Sequence, residues 1–510
     1  MKLLPLLLFP LLAYSAAPSL SSLYSTLDPT SVSQHFAFYE LYPKTPEGRQ
    51  ALKHAWDLLS GGSAEADPEM VLPSLDPQPL ISFVNRSGQE NAPILEEEQL
   101  AVIEKLSRHL ANRNLQGFGI LDMDTLYKLP IDQIDLGRGL LLAELGNDPK
   151  DHLKIRSYEA NIDLMSLQIL ARLPANATSE EKIRAINDYI FCEMRFRFPP
   201  HSLYAKEIDV YTFLPSVLDS RRGVCLGVSI LYLCIAQRLE LTLEAITPPG
   251  HIYVRYVNAN GEETNIETTA RGIDVPSEMY LGLENRKLQK RSIREVIGLA
   301  FMNQAAVSWH NKDPQTAIVL YEKAKPFLPN DFLLNMFLGF NYLFAGREEE
   351  GRALLEQVQG IIPDHMISGD TVAEDYLAGL ASPEAIQAIF AEVNETRDSI
   401  MEKQKKLEEV VVNHPNFRQG VFHLATTWLQ LGREKEALPI LEKYIQMHPQ
   451  DATVNYYLSA IHFQRKNFNQ AWKYLRAAET LVHAKDHKPR ALKELRQGLL
   501  RTCPEPISAG

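Results

Sequence analysis

Three residues of this chain have the types and spacing of a thiol-based acyl-transfer site: Cys225, His251 and Glu267. Cys225 follows Arg221-Arg222-Gly223-Val224 and opens an apolar run that ends near Leu239. At the N-terminus of a helix, unpaired N–H groups and about half a positive charge favour a thiolate. Arg221 and Arg222 are positioned in sequence to add to that field. The same N–H groups suit the oxyanion formed when a carbonyl is attacked. His251 comes 26 residues later, after Pro248-Pro249-Gly250, at the expected start of a strand, where a general base can face the helix end. Glu267, on the next strand, can accept from the other imidazole nitrogen and hold the ring.

Each residue also has a plainer reading. A lone cysteine beside an apolar helix is ordinarily a small buried hydrophobe, His251 alone would be a strand-end histidine, and Glu267 alone a cross-strand acid. The Arg-Arg-Gly-Val-Cys context, with a histidine downstream, favours chemistry. Cys234, nine residues on, falls half a turn away around the helix and is expected in the core.

The elements that must position these groups can be read from periodicity. Thr178-Ser179-Glu180-Glu181 is an N-cap with acids in the first turn, leading a helix from Lys182 to Met194. Asp219 to Gly223 reads as a tight turn into the Cys225 helix, whose apolar residues run almost all round, as in a central buried helix. Leu243–Thr247, His251–Val257 and Glu262–Thr268 read as strands, the last two joined at Asn258-Ala259-Asn260-Gly261. Register tests the triad. A two-residue turn leaves Glu267 three residues from the position opposite His251, whereas a five-residue loop, 257 to 261, pairs 251 with 267. The triad is therefore expected to need the longer loop.

The runs Phe213-Leu214-Pro215, Arg221 to Gly227, Leu231-Tyr232-Leu233, Gln237-Arg238-Leu239, Pro249 to Tyr256 and Asn265-Ile266-Glu267-Thr268-Thr269 together resemble the transglutaminase-like superfamily, in particular its SirB1-like branch. The resemblance spans about residues 155 to 285. It implies a papain-like fold with Cys225 as nucleophile, His251 as base and Glu267 as the acidic third member. Two features depart from the pattern. The usual third residue is Asp, and no glutamine stands six residues before Cys225, where Asp219 is found.

Beyond about residue 298 the chain repeats itself. Ala305, Ala317, Tyr321, Ala324 and Pro329 return 34 positions later as Gly339, Gly351, Leu355, Val358 and Pro363. Ala425, Trp428, Ala437, Leu441 and Pro449 are followed, again 34 apart, by Ser459, Ala471, Leu475 and Ala478. This is the tetratricopeptide signature, with small residues where neighbouring helices approach closely. Pro415 ends a degenerate unit, and about eighteen residues interrupt the array between its two pairs.

Composition bounds the rest. At 510 residues the chain exceeds a single core, and 45% hydrophobic with 23% charged residues excludes a mostly disordered or polytopic membrane protein. A net charge of −12 argues against nucleic-acid binding. Four cysteines, with no CxxC pair and no clustered histidines, exclude a disulfide framework or structural zinc; no metal or cofactor is expected. Lys2 precedes an apolar run, Leu3 to Tyr14, too short to span a bilayer, and Ser15-Ala16-Ala17 suits processing after Ala17. Export to a bacterial envelope or the medium is expected.

The expected architecture is multidomain and mainly α: a signal peptide at 1–17, a helical N-terminal domain at 18–154 and an α+β papain-like, transglutaminase-like domain at 155–285. A tetratricopeptide α-solenoid follows, with repeats at 290–365 and 400–490, a helical insert at 366–399 and a tail at 491–510. Two functions compete. One is a thiol enzyme cleaving, deamidating or transferring amides through a thioester, with the repeats presenting a protein or peptide. The other is a non-catalytic protein-binding scaffold, favoured by the two departures. A fragment of residues 290 to 510 is expected to fold alone.

Overall fold

The computed structural model describes residues 19–61, 78–85, 94–146, 148–199, 209–394 and 396–505. The leader expected at 1–17 lies outside the described residues. The protein is mostly helical and multidomain, with one small sheet in its middle.

That sheet has four strands, β1 Glu244–Thr247, β2 Tyr253–Val257, β3 Glu263–Ile266 and β4 Gln289–Arg291, in the order β3-β2-β1-β4 with every pair antiparallel. It packs against the helix Cys225–Arg238, in which only Cys225 and Gln237 escape full burial. An apolar helix of this kind is stable only when enclosed. Its one buried charge, Arg238, donates to Asp163 Oδ1 at 2.6 Å and to the Cys234 carbonyl at 3.1 Å. Asp163 lies on the helix Pro149–Leu170 and also pairs with Arg113. On the same helix Glu159 takes both ends of the Arg138 guanidinium, at 2.6 and 2.5 Å. Burying such charges is tolerable because each has its partner, and removing one partner would strand the other.

One apolar core runs from Val32 in the N-terminal helices, through the Cys225 helix, to Leu354 in the second repeat. The first repeat helix, Ile293–His310, puts Val296, Ile297, Ala300 and Phe301 into it. The expected independence of residues 290 to 510 is therefore corrected: the start of the array shares its core with the domains before it.

The repeats are helix pairs. Helices start at Pro314 and Glu348, at Arg418 and Ala452, and at Glu434 and Phe468, each 34 residues apart. Ala305, Ala317, Ala324, Ala425, Ala437, Ala471 and Ala478 are fully enclosed at the seams. Between the two pairs stand the short helices Val372–Leu377 and Pro383–Ile389 and the long helix Arg397–Asn413. No helix among the described residues is long and apolar enough to cross a membrane.

Local details differ from the sequence reading. Thr178 caps its helix through a reciprocal bond with Glu181, but the helix Ser179–Asn187 passes into a π-helical turn, Asp188–Glu193. Asp219 and Ser220 are not a turn: they complete the helix Leu214–Ser220, because Pro215 can start a helix and Leu214, Val217 and Leu218 are buried. The reversal is made instead by Arg221 in the left-handed conformation, φ 52°.

The hairpin is also corrected. Asn258 N–H donates to the Glu262 carbonyl, and Gly261 N–H to the Asn258 carbonyl, both at 3.0 Å, enclosing a three-residue loop, 259 to 261, with Gly261 at φ 81°. A three-residue loop closed by a left-handed glycine suits the twist of two antiparallel strands.

Candidate active site

Cys225 is the first residue of its helix, following Val224, which is extended (φ −73°, ψ 174°). Its thiol therefore sits among the first-turn N–H groups, which have no intrahelical acceptor. Two features hold this helix end. Val224 N–H donates to the Tyr211 carbonyl at 3.3 Å. Gly227 lets the Tyr211-Thr212 segment lie against the helix, since a Cβ there would collide with the Tyr211 carbonyl oxygen and come within 2.8 Å of Val217. Behind Cys225, Arg222 bridges to Arg197, while the charge of Arg221 acts on the buried Tyr189.

His251 stands before β2, just after the turn at Pro248, whose carbonyl accepts from His251 N–H at 3.1 Å. Glu267 follows β3 directly and caps a short 3₁₀ turn, Thr268–Ala270. His251 Nε2 lies 2.7 Å from Glu267 Oε2. The His251 side chain is 25% exposed and that of Glu267 only 7%, so the pair is open on the imidazole side and closed behind the carboxylate. Cys225 acts on the same imidazole, being among the groups that raise the His251 pKa. The structure thus brings His251 and Glu267 into contact and sets Cys225 where it acts on the same imidazole.

Electrostatics follows from these contacts. Burial works against the imidazolium, but hydrogen bonds and charge from Cys225 and Glu267 outweigh it and raise the His251 pKa to about 10. Burial likewise opposes the Glu267 carboxylate. Donors from His251, Thr269 and Tyr280 overcome it and pull that pKa to about 2. Both groups are charged at neutral pH.

The longer loop expected for the triad is not what forms. Val254 pairs with Ile266, so continuing the ladder sets Glu267 opposite Tyr253. The contact forms because both residues lie just off the strand ends, where side chains leave the strict alternation of the sheet.

Several contacts have no signal in spacing or composition. Glu267 Oε1 accepts from Thr269 N–H at 3.1 Å and from its hydroxyl at 2.6 Å. Glu267 Oε2 also accepts from the Tyr280 hydroxyl at 2.5 Å. Ser229, one turn along the Cys225 helix, shares a 2.9 Å hydrogen bond with Thr268, tying helix to sheet beside the carboxylate. Asp219, in the place of the missing glutamine, accepts from the Tyr158 hydroxyl at 2.8 Å.

The other thiols stand apart. Cys234 is buried, and burial pushes its pKa up, away from a thiolate; Cys192 is exposed and Cys503 partly exposed. Among the described residues no three His, Cys, Asp or Glu side chains converge as metal ligands.

Residues 156–292 match the family model described as transglutaminase-like superfamily. No curated protein matches the chain. Among solved structures the chain is similar to MamA at 14% identity, over 36% of this chain and 96% of that one, with a TM-score of 0.20. It is similar to menin, the structure of which reveals a binding site for Mixed Lineage Leukemia protein, at 12% identity over 75% of this chain and 98% of that one, TM-score 0.31. It is also similar to the tetratricopeptide-repeat domain of P58(IPK), at 11% identity over 92% and 97%, TM-score 0.22. With its helix, antiparallel sheet and family match in one segment, the chain carries a transglutaminase-like domain at residues 156–292, followed by tetratricopeptide-like helical repeats.

Proposed function

We propose that the protein is an exported thiol enzyme of the transglutaminase-like kind, acting on amides through a thioester at Cys225, with the repeat array binding a protein partner or substrate. The observation that carries this reading is the 2.7 Å contact of His251 with Glu267, with Cys225 at a helix end acting electrostatically on the same imidazole.

The chemistry balances with these groups alone. The Cys225 thiolate attacks the amide carbonyl carbon, and helix-end N–H groups hold the oxyanion. The C–N bond breaks as the His251 imidazolium gives its proton to the departing nitrogen, leaving a thioester and neutral imidazole. Water or an amine then attacks the thioester, His251 takes its proton, and the thiolate departs beside a restored imidazolium. Glu267 keeps the ring aimed and favours its charged form. Asp219, in the glutamine's place, accepts from the Tyr158 hydroxyl, so the backbone carries that task. The family match supports the class of reaction; export rests on the composition of residues 1–17.

The test is Cys225→Ala and His251→Ala against wild type, with a peptide amide and a small thiol-reactive ester. Turnover should vanish in both variants while both stay folded, the melting temperature of Cys225→Ala changing little because the thiol lies at a helix end. If both variants retain turnover, the enzyme reading fails and the scaffold function stands. If both unfold, the residues are structural.

A further inference from the structure

Tyr280 belongs to none of the elements that carry the three site residues, yet it touches two of them. Its hydroxyl donates to the same Glu267 oxygen that His251 engages. Its ring stacks on His251 at 5.8 Å and on Tyr253 at 4.8 Å, both at 21°. Phenol and imidazole thus divide one carboxylate oxygen between them, while Thr269 occupies the other.

Before Tyr280 the chain is tied to the sheet, where Ser277 accepts from Arg255 and Asn265 at 2.8 and 3.1 Å; after Tyr280 it is held by the repeats. Directly after it, Asn285 donates back to the Tyr280 carbonyl at 3.1 Å and accepts from Gly282 N–H at 2.6 Å, and it is 4% exposed. His487, beyond the last repeat, engages the Gly282 carbonyl at 2.8 Å. Glu284 accepts from Ser368 and Thr453, and its carbonyl takes Ile367 N–H at 2.8 Å. Arg286 and Lys287 both pair with Asp364, at 2.7 and 2.8 Å. Leu283 packs on the apolar cluster of Trp472 and Leu475. Residues 280 to 287 therefore form a strap whose first residue meets the site and whose remainder is gripped by both halves of the array.

We propose that Tyr280 is a positioning residue for the Cys225–His251–Glu267 constellation, and that the repeat array sets its position through this strap. The proposal rests on the enzyme reading above. The phenol fixes the carboxylate, and the carboxylate aims the imidazole that acts on Cys225. Loosening the grip on the strap should thus be felt at Cys225 without any change in the domain that holds it. The groups facing Glu267 are His251, with Cys225 beyond it on the helix, Thr269, and Tyr280; Tyr253, Arg255 and Glu263 form the next layer along β2 and β3.

The experiment measures alkylation of Cys225 by iodoacetamide between pH 4 and 9 in the full chain, with each site resolved by mass spectrometry. The acid limb of that profile reports the coupled group as a whole. Tyr280→Phe keeps the ring and loses the donor, and should move the limb up by about one pH unit, in the direction of Glu267→Gln. Glu284→Gln and His487→Ala, which loosen the strap, should move it the same way by less. Either one combined with Tyr280→Phe should add nothing further. Leu355→Ala, a destabilising change in the second repeat, should lower the melting temperature and leave the limb in place. An unshifted limb in Tyr280→Phe overturns the positioning role, and a shift there with none in either strap variant overturns the part given to the repeats. A wild-type Cys225 that labels like an ordinary thiol instead removes the enzyme reading itself, and so is distinguishable from both.

Discussion

Glu267 stands opposite Tyr253 in the continued register of its hairpin, yet its Oε2 lies 2.7 Å from Nε2 of His251, two residues earlier. The offset is bridged because His251 sits after the Pro248 turn and Glu267 at the head of a 3₁₀ turn, so neither is bound to the pleat. A carboxylate whose aim depends on such an off-strand contact should be sensitive to the loss of its charge. Glu267→Gln should lower turnover, or Cys225 alkylation at pH 6, by about 100-fold. An effect of less than threefold would show that the imidazole is held without it.

Selectivity among thiols follows from placement. Cys225 has a helix end and an imidazolium beside it, Cys234 is enclosed, and Cys192 and Cys503 have access to solvent. At pH 6 alkylation should mark Cys225 ahead of the other three, as read by peptide mass spectrometry. Slow and equal labelling would contradict a thiolate at Cys225.

The pH dependence of stability has two signed parts. The His251 pKa is raised from 6.5 to about 10, so its stabilisation is complete below 6.5 and is lost as pH rises through 10. The Glu267 pKa is lowered from 4.5 to about 2, so its stabilisation is present above 4.5 and fades as pH falls toward 2. The gap in melting temperature between wild type and His251→Ala should therefore be widest near pH 6 and narrow toward pH 10. A gap that widened with rising pH would reverse the assignment of the charged form.

Gly227→Ala tests how the helix end is seated. The added Cβ meets the Tyr211 carbonyl, backbone that cannot swing aside as a side-chain tip would. A cost of about 2–3 kcal/mol in urea unfolding is expected, together with slower Cys225 alkylation. Unchanged stability would mean that the Tyr211 segment yields freely.

Ile297 tests the shared core. It is fully buried, and its side chain fills the space beside Gly139, far away in the N-terminal region. Ile297→Ala should cost about 2–5 kcal/mol and lower the melting of the transglutaminase-like domain along with the first repeat. A separate transition confined to the repeats would show that the two cores are independent.

By itself the sequence determined the elements and their order: the Cys225 helix through its all-round apolar residues, and the repeats through small residues returning at 34 positions. Those are local or periodic properties, written in neighbouring side chains. It also placed the thiol at a helix end, because the Arg-Arg-Gly-Val run before it cannot continue the apolar pattern. Only tertiary structure decided that His251 reaches Glu267 through a three-residue loop, since one residue of register is worth too little in local composition to be legible. The same holds for the Arg238–Asp163 pair, 75 residues apart in sequence, and for the strap that brings Tyr280 to Glu267 and Glu284 to Thr453. Such contacts join residues whose separation carries no period, and they exist only where packed helices and sheet close the distance between them.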